Sequence, residues 1–281
     1  MASIEELKRI ASQVRRDIVR MVHAVNSGHP GGSLGCTEFF VALYFEVMKH
    51  NKNFSMDAPG EDVFFLSNGH ISPVWYSVLA HAGYFDVKEL GTFRKINSRL
   101  QGHPTTHEHL PGIRAASGSL GQGLSMAIGT ALTKKLNKDD SIVYTLHGDG
   151  EFQEGQIWEA LMFAPHNKVD NLIATIDFNN AQIDGPCDVV LSHLDLKAKI
   201  VAFGWDVLEL KDGNNMESVV ATLKEAKTRT GKGKPVFIIM YTQMGYAVDF
   251  MQGGHKWHGV APNDAQLAQA LGQLEETLGD Y

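Results

Sequence analysis

Two stretches decide the fold: Ile142-Val143-Tyr144-Thr145-Leu146-His147-Gly148-Asp149-Gly150 and Leu172-Ile173-Ala174-Thr175-Ile176-Asp177-Phe178-Asn179-Asn180. Each opens on an apolar run of strand length, rich in β-branched residues, and closes on turn formers. Two parallel strands joined by a helical crossover would end side by side, and there α/β sheets bind ligands. Asp149 and, thirty residues on, Asn179 would each deliver an oxygen to that edge. One carboxylate plus one amide is a sparse all-oxygen set. It suits Mg²⁺, which completes an octahedron with phosphates and water. Glycines at 148 and 150 would let a diphosphate approach the backbone closely. The plainer reading is two ordinary strand-to-turn junctions, since Gly, Asp and Asn are common in turns.

Outward from this pair, the chain alternates strands and helices. Ile4, Leu7, Ile10, Val14, Ile18 and Met21 recur at spacings of three and four and predict a helix over 3–25. Gly28-His29-Pro30-Gly31-Gly32 stops it. Further helices are expected at 37–48, 73–82, 87–97, 121–136, 154–165, 191–203, 216–230 and 266–278, and further strands at 63–66, 206–210 and 235–241. Residues 98–119 are rich in Gly, Pro, His, Ser and Thr, and a loop that long inside a compact domain is usually functional or disordered. The order predicts an α/β fold, a doubly wound parallel sheet flanked by helices. With no repeat or linker, residues 1–281 read as one domain.

Bulk properties narrow the function. At 281 residues, 43% hydrophobic and 20% charged, the composition is that of an ordinary globular protein. A net charge of −7 with no basic stripe argues against a general binder of nucleic acid or membrane surfaces. Glu5, Glu6, Lys8 and Arg9 stand where an export signal would need an apolar run. Cys36 and Cys187 are too few and too far apart for a disulfide framework, so the expectation is free thiols in a reducing, cytoplasmic setting.

Four glycine-bearing loops carry histidines: Ser27-Gly28-His29-Pro30-Gly31, Ser67-Asn68-Gly69-His70, Gln101-Gly102-His103-Pro104 and Gly253-Gly254-His255-Lys256-Trp257-His258-Gly259. A neutral imidazole donates from one nitrogen and accepts at the other, with a pKa near neutrality. Converging on one cleft, such groups could orient hydroxyls and move protons. Zinc is the competing ligand, but no paired cysteines and no H-E-x-x-H element accompany them. Taken singly, a loop histidine is more often a solvent-facing or capping side chain.

The Gly-Asp-Gly and Asn-Asn elements at this spacing resemble the thiamine diphosphate signature. The four histidine loops resemble, in the same order, the N-terminal domain of transketolase. So does Ser117-Gly118-Ser119-Leu120-Gly121-Gln122-Gly123, and the likeness covers roughly residues 10–262. The resemblance implies that Asp149, Asn179 and the Ala181 carbonyl hold Mg²⁺, with Ca²⁺ or Mn²⁺ as substitutes. It implies that His70, Gly150, Glu151 and His255 lie along the cofactor diphosphate, with Gly118, Ser119 and Leu120 at its rings. His29, His103 and His255 would face the substrate, joined by His258, and Glu154 would sit at the contact with a pyrimidine-binding domain. In a first helical turn an acid such as Glu154 is also favoured for structural reasons alone. The implied reaction moves a two-carbon ketol unit between sugar phosphates.

The same resemblance implies something lacking. The pyrimidine-binding domain, with the glutamate that activates the cofactor and the arginines that hold substrate phosphate, has no counterpart here. The expectation is a separately encoded N-terminal subunit, inactive alone, that pairs with a C-terminal transketolase subunit in an α₂β₂ assembly. A shortened piece of a longer chain is the plain alternative. Thr105-Thr106-His107-Glu108-His109-Leu110-Pro111-Gly112 departs from the loop expected of full-length transketolases, and Ser119 stands where many have proline. Substrate choice is therefore open. 1-Deoxyxylulose-phosphate synthase and dihydroxyacetone synthase are related alternatives, and a non-catalytic scaffold subunit is another. A dinucleotide oxidoreductase is disfavoured, because Gln153 occupies the third glycine position of G-x-G-x-x-G.

Overall fold

A computed structural model describes residues 2–281. In chain order the strands are β1 (Val63–Leu66), β2 (Val143–Gly148), β3 (Leu172–Phe178), a two-residue antiparallel pair β4 (Ala181–Gln182) and β5 (Gly185–Pro186), β6 (Asp206–Leu210) and β7 (Val236–Tyr241). The main sheet is wholly parallel and ordered β1-β2-β3-β7-β6. The helices are α1 (Ile4–Ala24), α2 (Pro30–Gly35), α3 (Thr37–Ala42), α4 (Ser72–His81), α5 (Gln122–Leu136), α6 (Gly155–His166), α7 (Cys187–Val190), α8 (Leu196–Ala202), α9 (Met216–Arg229) and α10 (Asp264–Gln273).

Successive strand residues point to opposite faces, and both faces are covered. Phe64, Leu66, Tyr144, Leu146, Ile173, Ile238 and Met240 enter a core shared with α1, α3, α4 and α9. Val63, Phe65, Val143, Leu172, Ala174, Ile176, Phe237 and Ile239 enter a second core shared with α5, α6 and α8. A parallel sheet buried on both sides needs near-continuous apolar strands, and these sequences supply them. The expected doubly wound sheet is what forms. β2 and β3 pair in parallel with Gly148 opposite Asp177, so the strands ahead of Asp149 and Asn179 do end side by side.

Helix ends depart from the periodicity where caps or backbone turns intervene. α1 begins on a capping box, in which the Ser3 hydroxyl accepts from the Glu6 N–H and the Glu6 carboxylate accepts from Ser3 N–H. The helix expected at 87–97 is instead a 3₁₀ turn at Val87–Thr92, followed by irregular backbone with Arg94 and Asn97 at φ +55° and +64°. The helix expected at 191–203 starts only at Leu196, because Leu194 has φ +52° and Asp195 caps the Ala198 N–H. The helix expected to run to 278 stops at Gln273. Beyond it the chain returns to α1, where Ser12 Oγ donates to the Glu275 carbonyl and Thr277 N donates to Gln13 Oε1. The helix expected over 37–48 is α-helical to Ala42 and closes in a π turn, Leu43–Val47. Cys36 and Cys187 are free and buried. Among the described residues no helix is long and apolar enough to cross a membrane.

Candidate active site

The carboxyl ends of β1, β2 and β3 open into a cleft of about 440 Å³. His29, His70, His103, Gly118, Leu120, Asp149, Gly150, Glu151, Glu154, Asn179, Ala181 and His258 all line it, although they come from distant segments of the sequence. A larger depression of about 720 Å³ lies before the amino ends of β1 and β2, but its buried charges are already paired. Lys134 meets Asp139 at 2.9 Å, and Asp62 accepts from the Ile142 N–H.

Asp149 is only 2% exposed. Its Oδ1 accepts from the Gly150 N–H at 2.8 Å, while its Oδ2 is buried with no partner. Burial, reinforced by the nearby Asp177 carboxylate, pushes its pKa up to about 7. An unpaired buried carboxylate oxygen is costly unless a cation or donor meets it. Asn179 is held from both ends of its amide: Nδ2 donates to Asp177 Oδ2 at 2.7 Å and Oδ1 accepts from the Ala181 N–H at 2.9 Å. The second lone pair of that oxygen remains for a ligand. This donor set, with Ala181 lining the same cleft, fits a hard divalent cation.

The histidines converge. His29 has ring-centre distances of 5.0 Å to His70, 5.5 Å to His258 and 6.5 Å to His103, and His70 lies 5.0 Å from His258. Burial is the first cause that lowers the pKa of each. His29 falls to about 4, with the neighbouring charges of His258, Arg94 and His103 adding to the effect. His70, His103 and His258 are lowered as well. All four rings are neutral near pH 7, and Nδ1 of both His29 and His258 is buried without a partner. Gly118, at φ +117°, lies against the His103 ring, where a Cβ would come within 2.9 Å of it.

Three residues fall differently from their expected places. His255 is exposed in the 3₁₀ turn His255–Trp257 and does not line the cleft, whereas His258, three residues on, is packed among the other rings. Ser119 also points away, its hydroxyl accepting from Gln122 Nε2 at 3.0 Å. Glu151 reaches the cleft but its carboxylate is taken by the protein. It accepts from the Ser67 hydroxyl, from Gly121 N–H at 2.7 Å and from Gly148 N–H at 3.0 Å. It ties β1, β2 and the start of α5 together. Glu154, just ahead of α6, makes no capping bond with its side chain, so the helix start does not consume its carboxylate.

The motifs do not single out Asp177, Asn68 or Gln182. Asp177 lines the cleft and positions Asn179; an acid closing the apolar run of β3, two residues before Asn179, is the one signal for it. Asn68 lines the cleft with a buried, unpartnered Oδ1, in the same loop as His70. Gln182 accepts from Gln153 Nε2 at 2.7 Å across the site, a pairing that no local pattern announces.

Known proteins share this architecture. The family described as transketolase, thiamine diphosphate binding domain, matches residues 6–277. The chain is 37% identical over 278 residues to an apulose-4-phosphate transketolase subunit of Phocaeicola vulgatus, covering 98% of this chain and 96% of that one. It is 36% identical to the 6-deoxy-6-sulfo-D-fructose transketolase subunit SqwG of a Clostridium species, covering 96% and 97%. The structure of Leishmania mexicana transketolase superimposes with a TM-score of 0.88 at 32% identity, over all of this chain but only 43% of that longer one. On its sheet order, its cleft and these likenesses, the chain belongs to the transketolase family as a thiamine diphosphate-binding domain.

Proposed function

We propose that this chain, as one diphosphate-binding domain, is the cofactor-holding subunit of a two-chain transketolase that moves a two-carbon ketol unit from a ketose to an aldose, one or both bearing phosphate or sulfonate. The relatives named as subunits of apulose-4-phosphate and sulfofructose transketolases, matched end to end, support the two-chain reading. The observation that carries the site is the buried Asp149 Oδ2, unpartnered beside Asn179 in a cleft lined by four neutral imidazoles.

In this reading Asp149, Asn179 and the Ala181 carbonyl hold Mg²⁺ against the cofactor diphosphate, and Gly150 lets the phosphate oxygens come close. The bound cofactor supplies the carbon nucleophile and electron sink of ketol transfer. The chain's own work is to orient and to handle protons. His29 and His258, each with an unpartnered Nδ1, can donate to or accept from a substrate carbonyl or hydroxyl without first losing a proton. His103, backed by Gly118, presents its ring at the same opening. Glu154 keeps a free carboxylate for the partner chain's side of the cleft. Groups of this kind typically contribute roughly 10²–10⁴-fold through general acid–base catalysis.

The test is calorimetric titration of thiamine diphosphate with Mg²⁺ into the chain alone, into its complex with the complementary subunit, and into the Asp149→Ala complex. Binding in the complex that Asp149→Ala abolishes is the expected result. A folded, proven complex that binds no cofactor would overturn the proposal and leave a scaffold subunit.

A further inference from the structure

Among the described residues Arg94 is the one cation at the histidine cluster, and it lacks the usual reason for being there. Its guanidinium is half-buried and forms no ion pair with a carboxylate among the described residues, and its Nε is buried without a partner. Burial lowers its pKa, the mark of a charge that nothing compensates. It occupies this place at a backbone cost, since φ is +55° at a non-glycine residue. The carboxylates that line the cleft (Asp149, Glu151, Glu154 and Asp177) make no ion pair with it.

Its contacts reach both substrate-side histidine loops. Nη1 donates to Ser27 Oγ at 3.1 Å, two residues before His29. Its backbone N–H donates to the Leu100 carbonyl at 2.8 Å, and its guanidinium lies against Gly102, where a Cβ would come within 2.5 Å of Cζ. Gly102 immediately precedes His103. A side chain at residue 102 would push the guanidinium from this place.

We propose that Arg94 is a positioning residue for the histidine cluster: it straps the loop before His29 to the loop before His103 and faces both imidazoles as an uncompensated positive charge. The inference rests on reading His29 and His103 as substrate-facing. The groups around His29 are His70, His103, His258 and Arg94, and Arg94 is the charged neighbour of His103. None of them is an anion, so the cluster stays neutral and each ring keeps one donor and one acceptor near pH 7. Tyr76, which Arg94 also influences, is un-ionised in this range because burial drives its pKa up.

The experiment is histidine titration by NMR on the full, cofactor-free chain, with His29→Gln and His103→Gln giving the assignments. Wild type, Arg94→Gln and Arg94→Lys are compared, and the pH profile of ketol transfer is recorded for each with the complementary subunit. In Arg94→Gln the His29 and His103 midpoints rise toward the ordinary value of about 6.5, and the acid limb of kcat/KM moves the same way. Arg94→Lys keeps both near wild type. If Arg94→Gln does not melt cooperatively, Arg94→Met takes its place. Unmoved midpoints in a folded neutral variant, or Arg94→Lys shifting as far as Arg94→Gln, would overturn the proposal. The titrations are read without cofactor, so their outcome is separate from that of the ketol-transfer assignment.

Discussion

Asp177 Oδ2 accepts the amide hydrogen of Asn179 Nδ2 at 2.7 Å, and this bond decides which end of the Asn179 amide faces the cleft. Asp177 is itself fixed by the Thr242 hydroxyl. Ligand-orienting groups of this kind are typically worth about 10–100-fold in metal affinity. Asp177→Ala is therefore expected to weaken Mg²⁺-dependent cofactor binding by a factor in that range while Asn179 is intact. Calorimetry on the assembled complex, with Thr242→Val as a milder companion, measures it. Unchanged affinity in a folded variant would show that Asn179 needs no such support.

Asp149 predicts a trade of stability for binding. Its folded-state pKa of about 7 lies above the ordinary value, so the folded chain holds the proton more tightly than the unfolded chain does. The resulting stabilisation is complete below the unfolded value of about 3.9 and fades as pH rises through 7. Asp149→Asn removes that loss. Without cofactor, the variant is expected to melt several degrees above wild type at pH 8, with the gap closing toward pH 4. Thiamine diphosphate with Mg²⁺ should stabilise the wild-type complex only. A variant that melts lower at pH 8 would contradict the unpaired-charge account.

Glu151 carries the opposite sign. Burial alone would raise its pKa, but His147, the Ser67 hydroxyl and the Gly121 N–H together hold it below the ordinary carboxylate value. Its contribution is present above the unfolded value and is lost as pH falls through the depressed one. In Glu151→Gln an amide N–H₂ group meets donors instead of an acceptor, at an expected cost of about 1–3 kcal/mol. Urea unfolding at pH 7 reads this cost directly, and the difference should shrink in acid.

His258 and His255 make a paired test. His258→Ala removes a ring packed 5.0 Å from His70 and 5.5 Å from His29, whereas His255 is exposed outside the cleft. The first variant should lower kcat/KM of the assembled enzyme by roughly 10²-fold or more, and the second by much less. Steady-state kinetics with equal amounts of folded complex settles the order. A reversed ranking would mean that the partner chain draws His255 inward.

The sheet and the position of the site are legible in the sequence because both rest on local signals. Apolar runs of strand length closed by Gly148-Asp149-Gly150 and by Asn179-Asn180 show where parallel strands end, and parallel pairing does the rest. What is not legible depends on partners far apart in sequence. Nothing near Glu151 says that its carboxylate will be claimed by Ser67, 84 residues earlier, or by Gly121. The histidine spacing in the last loop does not say which ring turns inward, since that depends on His29 and His70. The helix expected at 87–97 fails for a similar reason: Arg94 takes a left-handed backbone where its side chain reaches Ser27, 67 residues earlier.

The close approach of four imidazoles sets the cleft's capacity for acid. Once one ring takes a proton, each neighbour stands about 5–6.5 Å from a full positive charge in a poorly solvated space. Sites so coupled titrate in successive steps that belong to the set and not to any one ring. Four histidines thus resist a second proton more than a first, and near neutrality the cleft hands a substrate proton on from one oxygen to the next rather than storing it.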